Sequence, residues 1–148
     1  GVCGTHDLIV HNYGPGRSMA SIHAEVPNDV DIEVSHEIID RIERDATKKL
    51  GIFLVIHMDP VETKNEYVLN TKTKVEQIVE ALDKNVSIHD FRMVDGPTHT
   101  NIIFDVLVPF RFSMTDEELR RNFAEYVHGL DERYFAVIEI DKDYNNLA

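Results

Sequence analysis

Apolar and polar residues alternate with a period of two at the start of the chain. His6 to Tyr13 has the composition of a strand, and Gly14-Pro15-Gly16 is a turn signal. The stretch RSMASIHAEVP then alternates, with Ala20, Ile22, Ala24 and Val26 on one face. Arg17, Met19, Ser21, His23 and Glu25 take the other. Two such runs around a Gly-Pro-Gly turn predict a hairpin. A helix should follow, capped by Asp29 or Asp31, with Ile38, Ile39, Ile42, Ala46 and Leu50 as its stripe and Gly51 as its left-handed end. Ile52 to Asp59 is a further strand, which Pro60 should stop because proline cannot donate to a ladder.

The polar stretch 63–72 reads as a linker. Thr73 and Glu76 then suggest a capping box, followed by Val75, Ile78, Val79 and Leu82 at helical spacing. Beyond it the first pattern returns. IHDFRMVDGPTHTNIIFDVLVP stands beside THDLIVHNYGPGRSMASIHAEVP: both open on His-Asp, both turn at Gly-Pro, and both close on Val-Pro. A second capping box, Thr115 and Glu118, opens a helix with Leu119, Phe123, Val127 and Leu130 on one stripe, and YFAVIEID is the closing strand. Pro27 to Pro109 and Asp59 to Asp141 are both shifts of 82 residues. The chain is therefore read as a duplicated α-β-β-α-β unit, of class α+β, with helices on one face of an antiparallel sheet. The expected boundaries are 1–62, a linker at 63–72, and 73–144. The first copy lacks its leading helix and begins at Gly1, so a piece of a longer protein is expected.

Composition narrows the function. A net charge of −12 leaves no basic footprint for a nucleic acid. No run of 18 apolar residues crosses a membrane. The single cysteine, Cys3, excludes an internal disulfide. Eight histidines are many for 148 residues and point towards metal chemistry.

The strand periodicity says where. His57 and Asp59 share one strand face, about 6–7 Å apart along it. His23 belongs to the same side of its own strand, and His6 opens the hairpin and can reach the same end. His36 lies on the first helix, roughly 80° from the centre of the apolar stripe, where it flanks the sheet edge. Several imidazoles with one carboxylate suit Zn²⁺, and also Co²⁺, Fe²⁺ or Mn²⁺, and their affinity should fall as the imidazoles protonate. The open face should carry His23, Phe53, Val55, His57 and Asp59, and a partly apolar face of this kind wants a partner, either the second repeat or another copy. His11, His99 and His128 are read as ordinary histidines. The Gly-Pro-Gly-Arg turn joins strands and does not open a helix, so it is no phosphate cradle. A metallohydrolase would need a base and an oxyanion donor in a recognisable motif, and none is present.

THDLIVHNYGPGR, SIHAEVPNDVDI, SHEIIDRIE and GIFLVIHMDPVE, taken together, resemble the cytoplasmic C-terminal domain of the cation diffusion facilitator (cation efflux) family of metal transporters. The resemblance covers nearly all of residues 2–62. It implies a ferredoxin-like, metallochaperone-like fold, a homodimer, and a six-helix membrane domain earlier in the full-length chain. The implied place is the cytoplasmic side of the cell membrane, with no membrane insertion by this part. It further implies a non-enzymatic regulatory domain that binds divalent metal, Zn²⁺ first and Mn²⁺, Fe²⁺, Co²⁺ or Cd²⁺ after it. The implied ligands are His6, His23, His36, His57 and Asp59. A free-standing metal-binding or chaperone-like module is the alternative. The second repeat keeps His89 and Asp141, but has Asp105 for His23, Glu139 for His57 and Glu118 near His36. It is either a degenerate copy kept for packing or a harder, oxygen-rich site.

Overall fold

The computed structural model describes residues 1–144. They form two compact units that divide between Thr63 and Lys64. The first unit contains β1 (Gly4–Asn12), β2 (Ser18–Pro27), α1 (Ile32–Leu50) and β3 (Phe53–Val61). The second contains α2 (Glu66–Leu82), β4 (Ser87–Asp95), β5 (Thr100–Pro109), α3 (Asp116–Leu130) and β6 (Tyr134–Asp143). Each has a three-stranded sheet, ordered β1-β2-β3 and β4-β5-β6. The architecture is α+β, and a duplicated ferredoxin-like arrangement fits it.

The sheets are mixed, not antiparallel as expected. β1 and β4 pair antiparallel with β2 and β5 through the hairpins, but β2 pairs parallel with β3 and β5 with β6. The cause is the crossover: a helix between two strands returns the chain to the same end of the sheet, so the next strand runs in the same direction.

Residues 66–72, expected within a linker, are the first turns of α2. Asn65 caps that helix, its side chain accepting from the Tyr67 and Val68 N–H groups. Thr73 therefore opens no capping box. It sits inside the helix, where its hydroxyl donates back to the Leu69 carbonyl. In these turns Tyr67, Val68 and Leu69 stand in succession and not at helical spacing, and only Thr71 is buried. The Thr115–Glu118 capping box is present at α3. α1 is capped by Asp31 and closes at Gly51, whose φ of 66° is the left-handed conformation glycine adopts without penalty.

Both hairpins carry a β-bulge immediately after their first histidine. Register shifts between His6 and Ile9, and again between His89 and Arg92. The bulged residues Asp7 and Asp90 have φ of 54° and 50° and are the two non-glycine residues of positive φ among those described. Aspartate tolerates that region better than most residues.

The packed core belongs to the second unit. Ile102, Phe104, Val106 and Val108 on β5 meet Leu119, Phe123 and Val127 of α3 and Val75 and Val79 of α2. Phe104 lies against Phe123, ring edge to ring face, with centroids 6.1 Å apart. The first unit buries smaller groups: Ala20, Ala24, Val26, Ile39 and Val61. α1 buries Ser35 and Ile39, while Ile42 and Leu50 of the expected stripe are exposed. One helix packs on this sheet, and the line of α1 that meets β3 is the shielded one. Its flanks face solvent.

Candidate metal centre

Three histidines far apart in the chain form one row across the first sheet. His6 is directly opposite His23, and His23 is directly opposite His57. Residues so paired place their side chains on the same face, close together. The His6 and His23 rings have centroids 5.0 Å apart, and those of His23 and His57 are 4.8 Å apart. Asp59, one step further along β3, folds back beneath the row. Its Oδ2 is 3.1 Å from His6 Nε2 and 2.9 Å from His23 Nδ1, and its Oδ1 is 3.3 Å from His57 Nε2. One carboxylate thus meets all three imidazoles, one oxygen towards the first two and the other towards the third.

Burial is graded along the row. The His6 side chain is fully covered, that of His23 is 38% exposed and that of His57 is 68% exposed, with Asp59 at 9%. Cover thus falls from β1 to β3 across the row. A buried carboxylate must be paired, and here imidazoles are its partners. Candidate ligand atoms of His6, His23 and Asp59 all lie within 4.8 Å of one another. This donor set, imidazole nitrogen with one carboxylate, suits a borderline divalent ion such as Zn²⁺.

Four of the five residues read from the sequence therefore come together. The fifth, His36, is exposed on α1 and lies outside the cluster. Cys3 is exposed, and its backbone N–H donates to the Glu25 carbonyl, so it extends the β1–β2 ladder. Phe53 and Val55 continue the face beyond His57 and are exposed, as the alternation requires.

Sequence reasoning passed over Asp7. Its Oδ2 is 3.0 Å from His6 Nδ1, the ring nitrogen facing away from Asp59. The signal was available: His-Asp opens the hairpin in both copies.

The second sheet repeats the row with different chemistry. His89 is opposite Asp105, and Asp105 is opposite Glu139. His89 Nε2 meets the Ser87 hydroxyl at 3.2 Å, and the Glu118 carboxylate accepts the Thr115 N–H within the helix cap. Among the described residues of the second unit, no three candidate ligand atoms gather as they do in the first. Among the described residues, no helix is long and apolar enough to cross a membrane.

Residues 1–61 match the sequence model of the family described as "Cation efflux protein, cytoplasmic domain". No curated protein matches the chain.

Proposed function

We propose that residues 1–61, which match the family model of cation efflux protein cytoplasmic domains, bind a divalent cation through His6, His23, His57 and Asp59. Binding would tighten a homodimer that controls transport by a membrane-embedded part of the full-length protein. The observation supporting the reading is the single row of imidazoles over one buried carboxylate. Such a row is of little use to packing. An apolar core would stabilise the sheet more cheaply than a carboxylate that must be desolvated.

His6, His23 and Asp59 form the more covered side of the site, and His57 is its most exposed member. Zn²⁺ is the first candidate because imidazole nitrogen predominates, and Mn²⁺ is the second because Asp59 offers two oxygens. When bound, the ion supplies positive charge in a chain of net charge −12. Two such chains repel one another, and neutralising charge at their approach favours the closed pair. Regulation then follows from linkage: a cation that binds the closed dimer better than the open one shifts the population by the ratio of the two affinities. His36, exposed and outside the cluster, is in this reading available to a second copy. The domain itself catalyses nothing.

The experiment is calorimetric titration of metal-free protein with Zn²⁺ and with Mn²⁺, beside a His57→Ala/Asp59→Ala variant, with light scattering followed throughout. Tight binding by the wild type alone, with a rise in scattering mass, is expected. Equal heats from both proteins would remove the site, and an unchanged mass on saturation would remove the dimer linkage.

A further inference from the structure

We infer that Asp7 is a positioning residue that fixes the tautomer of His6; the inference rests on the metal-binding reading above. A neutral imidazole has one N–H and one lone pair, and whichever nitrogen donates a hydrogen bond leaves the other free to ligate. His6 lies between two carboxylates. Asp59 is 3.1 Å from Nε2 and Asp7 is 3.0 Å from Nδ1. Nε2 belongs to the cluster, because only that nitrogen faces the carboxylate shared with His23 and His57. The proton must then sit on Nδ1, where the Asp7 carboxylate accepts it. An imidazole held by a carboxylate on its far nitrogen is oriented and made more basic, and partners of this kind contribute substantially to metal affinity.

The backbone serves this contact. Asp7 occupies the bulge, and its φ of 54° turns its side chain alongside that of His6, where a regular strand would send neighbours to opposite faces. In the second unit Asp90 holds the same bulge with φ of 50°, and its carboxylate is 3.4 Å from Arg92. At the position of Arg92 the first unit has Ile9. The bulge is common to both copies. In the first copy the bulge carboxylate meets the preceding histidine at 3.0 Å.

Imidazole ¹⁵N spectra of metal-free protein under mildly alkaline conditions test this, with Asp7→Gly and Asp7→Asn variants. Glycine keeps the positive φ and removes the acceptor. Asparagine keeps both the φ and a neutral acceptor oxygen. In the wild type His6 should carry its proton on Nδ1. Asp7→Gly should give a mixture of tautomers at His6 alone, leaving the spectra of His23 and His57 as they were, and should weaken Zn²⁺ binding about 10–100-fold. Asp7→Asn should restore the tautomer and most of the affinity. A wild-type His6 protonated on Nε2 overturns the inference without any variant. So does an Asp7→Gly protein that binds Zn²⁺ as tightly as the wild type, and that result leaves the metal site standing. A wild type that binds no Zn²⁺ removes the metal site and, with it, the purpose assigned to Asp7.

Discussion

The two units share a strand order, a crossover helix and a bulge, but they fill the same positions for different ends. Counted from their helix caps Asp31 and Thr115, Ser35 and Ile39 stand where Leu119 and Phe123 stand. On the middle strands Ala20, Ile22 and Ala24 stand where Ile102, Phe104 and Val106 stand, at the shift of 82 residues. Across the opposite sheet face the histidine row of the first unit becomes His89, Asp105 and Glu139. Packing is concentrated in one copy and imidazole chemistry in the other. Duplication allows this division, because each copy has to satisfy only one demand well.

The largest expected effect tests the packing half. Phe104→Ala removes a ring with no solvent exposure and should cost about 3–5 kcal/mol in chemical denaturation. Phe53→Ala removes an exposed ring and should stay within roughly 0.5 kcal/mol. Comparable losses from the two would erase the contrast between the copies.

Chemistry comes next. Zn²⁺ at about 100 times its dissociation constant should add about 2.7 kcal/mol to the stability of the binding unit. Asp59→Ala should abolish that gain, while its counterpart Asp141→Ala should leave both the gain and the stoichiometry as they are. A second equivalent of Mn²⁺ that disappears in Asp141→Ala would instead assign the second row a harder site of its own.

Smaller effects separate the helix ends. Thr115→Ala breaks a reciprocal cap and should cost about 1 kcal/mol. Gly51→Ala forces a side chain into the left-handed region and should cost about 1–2 kcal/mol at most. α2 and α3 end at Asp83 and Asp131 in extended backbone, so alanine there meets no left-handed strain and loses only the side-chain bonds accepted from the Asn85 and Arg133 N–H groups, about 0.5–1 kcal/mol.

The smallest effect is alkaline. The Tyr67 hydroxyl lies 2.6 Å from that of Tyr134, and this hydrogen bond, assisted by burial and by the charges of Asp95 and Asp131, pushes the Tyr67 pKa up to about 12. The neutral phenol is the form the folded state favours. Its contribution is complete below the ordinary tyrosine value of about 10 and is lost as pH rises through about 12. Tyrosinate absorbance should show a late step that Tyr67→Phe removes.

Much of this was legible from residues alone. Period-two alternation put His23, His57 and Asp59 on one face, and two spacings of 82 residues exposed the duplication, because both depend on local geometry that every strand obeys. The start of α2 was hidden, since its apolar residues Tyr67, Val68 and Leu69 run in succession and not at helical spacing, and only Thr71 in those turns is buried. The exposed flanks of α1 were hidden too, since a helical stripe declares what it could bury but not what is there to cover it. The sequence by itself determined the copies, the strand faces and the kinds of ligand. Tertiary structure alone decided that the third strand runs parallel, that three histidines align in one row, that Asp59 reaches all three, and that Asp7 turns beside His6. Register and bulge are set by pairing between strands distant in the chain, and no local pattern records which residue will stand opposite which.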